Sequence, residues 1–349
     1  MVGLKERRLF VGSFTPPKGA TGEGLTTLSA TSHDGMIRQI GVEYGGCPAF
    51  LVQHPTLDLL YAASELPSGS IDTYAVNVDA ATERIATAVT GSSPAHIALG
   101  QIGPETFLFT SHYFGGCFAV HRIEDDGTVS NVLDLVDRRA APRAGREPRP
   151  HCAVFMPGER FIFATDLGTD EVLTYAIDET TGKVTEVGSA RTPTGAGPRH
   201  LALHPDGRLF VSGELGGVVM TFDVEADRSL AWRGERPSLA EPSKQSGRPQ
   251  PAEIALSHEG RFLHVGNRRV GVISTFATDG DNLRPIGDTP TGGTTPRHFA
   301  VVGDELYVGN QESDTIRAFH VDPDTGRLTP SGAGTFVRCP VMILVARER

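Results

Sequence analysis

The sequence predicts an all-β fold, a seven-bladed β-propeller, and three recurring phrases predict it. A proline-led phrase returns along nearly the whole chain: PAFLV from Pro48, PAHIAL from Pro94, PHCAVF from Pro150, PRHLAL from Pro198, PAEIAL from Pro251, PRHFAV from Pro296 and PVMILV from Pro340. After each of the first six comes a second apolar run that ends in small or polar residues: LYAASE, FLFTSHY, FIFATDL, LFVSGE, FLHVGNR and LYVGNQ. A third run follows, often closing on an aromatic, as in SIDTY, VLTYAI, VVMTF, VISTF and TIRAF. Short strands at a period of roughly 45–55 residues mark a propeller, not a compact α/β enzyme.

The two ends fix the blade count. Near the N-terminus Arg8-Leu9-Phe10-Val11-Gly12-Ser13 matches a second strand with no first strand before it. The C-terminal run Pro340-Val341-Met342-Ile343-Leu344-Val345 matches a first strand with nothing after it. The tail therefore completes the blade that the N-terminus begins, which gives seven blades and no unpaired edge at the join.

Composition agrees. Gly and Pro are abundant, no segment keeps a helical period, and Asp126-Gly127, Thr181-Gly182, Asp206-Gly207, Asp279-Gly280 and Thr325-Gly326 stand where hairpins close. Repeat architectures exceed the usual length of one domain, and no linker interrupts this chain, so 1–349 is read as a single propeller domain. Two longer connectors, 137–149 (DRRAAPRAGREPR) and 236–250 (RPSLAEPSKQSGRPQ), are insertions between blades. Within the first, Arg138 and Arg139 read as a solvated loop, whereas Arg149, two residues before His151, reads as an anion contact.

The opening MVGLKERRLF lacks an apolar signal segment and no membrane span follows, so the expected compartment is the cytoplasm. Cys47, Cys117, Cys152 and Cys339 show no CxxC or zinc spacing and are expected to stay reduced. A net charge of −10 argues against nucleic-acid binding, although a local arginine cluster still suits a small anion. A monomer or weak homo-oligomer is expected.

In a propeller the first strand of every blade lines the central channel, so its positions can be compared from blade to blade. The residue after the proline reads Ala49, Ala95, His151, Arg199, Ala252, Arg297 and Val341; the next reads Phe50, His96, Cys152, His200, Glu253, His298 and Met342. Strand alternation should turn the two sets to opposite faces. The recurring His96, His200 and His298 are expected to be structural. His151, Arg199 and Arg297 break the repeat, and non-repeating polar residues on a repeating scaffold are where function is grafted. A channel arginine carries a desolvation cost, which an anionic ligand offsets.

The second strands end in Ser13-Phe14, Ser64-Glu65, His112-Tyr113, Asp166-Leu167, Gly213-Glu214, Asn267-Arg268 and Asn310-Gln311. The constellation of His, Arg, Glu and amides suits carboxylate or phosphate recognition with proton transfer by His or Glu. No GxSxG elbow supports a covalent serine, and the scattered Glu65, Asp166 and Glu214 make no metal cage, so neither metal nor cofactor is expected.

At these residues the chain resembles the seven-bladed lactonase family that includes a bacterial type of 6-phosphogluconolactonase and a fungal carboxymuconate lactonising enzyme. Its most specific stretches are PRPHCAVFMPGERFIFATDLGTDEV, GAGPRHLALHPDGRLFVSGE, PAEIALSHEGRFLHVGNRR and TPRHFAVVGDELYVGNQESDTI. The resemblance implies a metal-free site whose His, Arg, Glu and Arg fall on His151, Arg199, Glu214 and Arg268. Beside these, Arg149, Arg297, Gln311 and Asn267 are expected as substrate contacts. There are departures: Arg149 replaces a histidine, Gly213-Glu214 an Asn-Glu, Asn267-Arg268-Arg269 an Asn-Arg-Gly, and His112-Tyr113 an Asn-Tyr.

The function so implied is hydrolysis of an anionic sugar lactone, with His151 or Glu214 as base and an arginine on the oxyanion. The alternatives are a cycloisomerase closing a carboxylate onto an alkene, and a non-catalytic propeller that presents loops to a protein.

Overall fold

Apolar and β-branched residues alternate with turn residues in every repeat, and each repeat folds as one antiparallel sheet. The computed structural model describes residues 6–31, 35–77, 82–140 and 146–347. Among these, the strands form seven four-stranded sheets. The proline-led phrases are the first strands: Pro48–Gln53, Pro94–Ile102, Pro150–Phe155, Pro198–Leu203, Pro251–Ser257, Pro296–Val302 and Pro340–Val345. The last pairs antiparallel with Glu6–Ser13, Ile343 opposite Val11 and Leu344 opposite Phe10. The expected completion of the N-terminal blade by the tail is therefore present.

The chain divides into two compact units. One comprises Met1–Cys47, Asn77–Thr82 and Arg236–Arg349, and holds the first, sixth and seventh sheets. The other comprises Pro48–Val76 and Glu83–Glu235, and holds the second to fifth. Within each unit the core lies between neighbouring sheets. Phe107, Phe109 and Phe118 of the third sheet pack on Ile162, Leu173 and Tyr175 of the fourth. Leu9, Leu28 and Ile343 of the first pack on Tyr307 and Ile316 of the seventh. Sheet faces buried against one another in this way supply most of the apolar burial that a strand-only fold has available. Among the described residues no helix is long and apolar enough to cross a membrane.

The expected alternation after each proline fails, for a definite reason. Pairing slips there in every first strand, between Pro48 and Phe50, Pro94 and His96, Pro150 and Cys152, Pro198 and Leu201, Pro251 and Ile254, Pro296 and His298, and opposite Gly12 and Ser13 for the tail. A bulge leaves a residue without a ladder partner and re-aims its side chain. His151 and Arg297 are the residues that the ladder register skips, and Arg199 shares its bulge with His200. Residues one and two after the proline can then share surroundings, contrary to strict alternation.

Candidate active site

The residue after five of the second strands is placed by a repeated backbone bond. The carbonyl just before the strand-opening proline accepts the N–H of Tyr113 (from Ser93, 3.0 Å), Leu167 (Arg149, 3.0 Å), Glu214 (Gly197, 2.8 Å), Arg268 (Gln250, 3.2 Å) and Gln311 (Thr295, 2.9 Å). Four of these acceptors have left-handed backbone, with φ of 54° at Ser93, 63° at Gly197, 53° at Gln250 and 58° at Thr295. Such a conformation is costly for Ser, Gln and Thr, and strain of this kind concentrates at functional positions. Tyr113, Glu214, Arg268 and Gln311 are thus equivalent positions on the scaffold.

In the second unit this device meets the bulges. Arg199 is 2% exposed, and its Nε lies 3.0 Å from a carboxylate oxygen of Glu214. The Arg199 carbonyl accepts the Thr165 hydroxyl at 2.7 Å, which ties the fifth sheet to the fourth. His151 is buried, its ring 5.2 Å from that of His200 and 5.7 Å from that of Tyr113. His200 also meets His96 (5.7 Å) and Phe50 (5.9 Å), so residues from both positions after the proline share one ring cluster. His96 Nε2 lies 3.3 Å from Cys152 Sγ, in keeping with its expected structural role.

Tyr113 is half-buried, and its phenol pKa is raised, first by burial and next by the Glu214 carboxylate, against the opposing pull of Arg149 and Arg199. Arg149 stacks across Tyr113 (5.8 Å) and the exposed Phe114 (5.6 Å). One of its terminal nitrogens donates to the Pro148 carbonyl at 2.9 Å and lies 3.7 Å from Glu147. At the level of sequence Tyr113 is only the last residue of a second-strand end, beside the departing His112, and is not placed in the site. The signal was its alignment with Glu214 and Arg268 at the second-strand ends.

The turn DLGTD anchors the starts of two functional strands. Asp166 Oδ1 accepts the N–H groups of Arg149 (2.8 Å), Gly168 and Thr169 (both 3.2 Å). Asp170 accepts those of Gly195 (2.7 Å) and Gly197 (2.8 Å), two residues before Arg199. Arg138 and Arg139 are not the solvated loop residues expected. Arg138 is only 8% exposed and binds Asp166 (3.3 Å), Glu171 (2.7 Å) and Glu186 (2.9 Å), because three carboxylates gathered on adjoining strands require a cation. Arg139 donates to the carbonyls of Phe114 and Gly115, each at 2.6 Å, and Arg146 pairs with Asp170. Arg143 lies outside the described residues. Replacing Arg138 by Met strands three carboxylates, and breaking a buried ion pair typically costs about 3–5 kcal/mol. Denaturant unfolding should register that loss, and an unchanged midpoint would mean that the cluster contributes nothing net.

In the first unit Arg268, Arg269, Arg297, Gln250 and Gln311 line a cleft of about 900 Å³. Arg268 donates from Nε to the Gln250 carbonyl at 3.4 Å, Arg269 binds the Gln250 side chain at 3.0 Å, and Arg297 lies 4.9 Å over the Phe14 ring. Arginines backed in this way present planar donors to an anion. Asn267, expected as a substrate contact, is instead a brace. It is 0% exposed, accepts from Ser238 Oγ at 2.7 Å and donates to Ser274 Oγ at 2.9 Å. His112, Asp166 and Asn310 end their second strands in the same way, each buried and hydrogen-bonded and followed by the residue carried by the backbone bond. His298 is held between Glu253 (3.0 Å) and the Ile343 N–H (3.3 Å), a structural placement as expected. Among the described residues no group of three His, Cys, Asp or Glu side chains is arranged to hold a metal ion.

Comparison with known proteins bears on these observations. The family model described as Lactonase, 7-bladed beta-propeller matches residues 8–345. The 6-phosphogluconolactonase of Bacillus subtilis (strain 168) is 30% identical over 262 residues, covering 73% of this chain and 74% of that protein. That of Serratia proteamaculans (strain 568) is 28% identical over 301 residues, covering 82% and 83%. The solved periplasmic gluconolactonase of Pseudomonas aeruginosa superposes with a TM-score of 0.88 at 26% identity, covering 98% of this chain and 99% of that one. Seven four-stranded sheets, a tail strand that completes the N-terminal blade, and a match over nearly the whole length lead to one assignment: the chain belongs to the seven-bladed β-propeller lactonase family.

Proposed function

We propose that this lactonase hydrolyses a sugar lactone bearing a phosphate or a second carboxylate, as the relatives named 6-phosphogluconolactonase suggest. The observation that carries the reading is the buried Arg199–Glu214 pair, with His151 in the same unit and an arginine, Arg149, whose aromatic backing leaves Nε and one terminal nitrogen without a partner among the described residues. Glu214, held by Arg199, serves as an acceptor, so His151 is assigned as the base that takes a proton from water. Arg199 is assigned to the oxygen that becomes negative when water adds to the carbonyl, where a fixed donor is most effective. The cleft arginines Arg268 and Arg297, with Gln311, are assigned to anion binding, and Asn267 to holding the Arg268 strand end. The cytoplasmic placement belongs to the same proposal, and fractionation tests it.

The test is a coupled assay on 6-phosphogluconolactone, corrected for spontaneous hydrolysis, beside the unphosphorylated lactone. A clear preference for the phosphorylated substrate is expected, and equal turnover of both contradicts the anionic assignment. Arg149→Ala should raise KM about three- to tenfold at low salt and flatten its salt dependence, because screening weakens a partly exposed charge contact. An unaltered KM and salt response would return Arg149 to the role of a loop residue.

A further inference from the structure

Opening a sugar lactone requires more than a base and an oxyanion donor. When the tetrahedral intermediate collapses, the ring oxygen leaves as an alkoxide, which is a poor leaving group unless it receives a proton. Glu214, a carboxylate facing Arg199, has no proton to give. The His151 imidazolium holds the proton taken from water, and a neutral O–H in the same surroundings can relay a proton to the ring oxygen.

Tyr113 provides it. The bond from Ser93 sets it on the scaffold as the same bond sets Glu214. Its ring meets His151 edge-on at 5.7 Å, and Arg149 stacks on its face at 5.8 Å. Glu214, Arg149, Arg199 and Glu65 are the charged groups whose fields reach it. Among the described residues its hydroxyl has no hydrogen-bond partner, in contrast to Tyr61, whose O–H donates to the Gly127 carbonyl at 2.8 Å. Burial keeps the phenol protonated across the neutral range.

We propose that Tyr113 is a further catalytic residue, the acid that protonates the departing ring oxygen. Water's oxygen bonds to the carbonyl carbon while His151 takes a proton from it. The bond from that carbon to the ring oxygen then breaks, its electron pair goes to the ring oxygen, and the Tyr113 proton follows. The resulting tyrosinate recovers a proton from the His151 imidazolium, directly or through water. Both residues return to their starting states, and the net reaction is addition of one water. This assignment rests on the reading of His151 as the base.

The experiment compares wild type, Tyr113→Phe and His151→Ala on 6-phosphogluconolactone, with thermal unfolding of each. Loss of a positioned general acid typically costs about 10²–10⁴-fold. Tyr113→Phe is expected to lower kcat in that range, with KM within about twofold and the melting temperature unchanged. A kcat retained within about threefold overturns the assignment, and so does a rise in KM that accounts for the whole loss. The reading beneath it is scored separately. A wild type no faster than spontaneous hydrolysis defeats the lactonase assignment of the site and Tyr113 with it. An active wild type with an active Tyr113→Phe variant defeats the tyrosine alone.

Discussion

Deleting Pro340–Arg349 is expected to yield a protein that does not fold. The removed strand contributes Val341, Met342 and Ile343, all almost fully buried, and Ile343 belongs to the core shared by the first and seventh sheets. Burying one such side chain contributes about 1.5–3 kcal/mol, so three contribute roughly 5–9 kcal/mol. The whole stability of a domain is commonly about 5–15 kcal/mol. The deletion also strips Glu6–Ser13 of its partner from Leu9 to Ser13, leaving unpaired donors and acceptors along a hydrophobic edge. Insoluble expression, or loss of the cooperative thermal transition, is the anticipated result. A truncated protein that melts where the full chain does would mean that the tail strand is dispensable.

The second large effect is catalytic. Arg199→Ala is expected to lower kcat about 10²–10³-fold, the usual cost of removing one fixed oxyanion donor. Stability should fall less than in Arg138→Met. Glu214, left behind, is already 13% exposed at its side chain and can regain water, whereas the carboxylates around Arg138 include Asp166 at 0%. Arg199→Lys should not restore the rate, because an ammonium lacks the planar fork of a guanidinium. His96→Gln serves as the control, since its ring belongs to the packed cluster with Phe50 and Cys152 and should affect melting more than turnover. Equal losses in His96→Gln and Arg199→Ala would remove the distinction between the functional and structural positions after the proline.

These expectations separate according to what the chain encodes locally. Blade number follows from counting the proline-led phrases and from noticing that each end carries half a repeat, because every repeat brings its own strands and turns. The candidate residues His151, Arg199, Glu214 and Arg268 were legible for a related reason: a repeat exposes whatever departs from it. The same logic passed over Tyr113, since an aromatic at a strand end looks like packing until the Ser93 carbonyl and the neighbouring charges are known.

The sequence by itself determined the architecture, the closure of the N-terminal blade by the tail, and which positions carry non-repeating polar groups, all of which depend on periodicity along the chain. Tertiary structure alone decided three things. The bulge after each proline sets His151 beside His200, because a residue skipped by the ladder is aimed by its surroundings and not by strand alternation. Arg138 is buried because Asp166, Glu171 and Glu186 converge only after their strands pair. Asn267 holds a strand end because Ser238, from the connector before it, and Ser274, on the next strand, both arrive at its amide. Each depends on partners that only folding brings together.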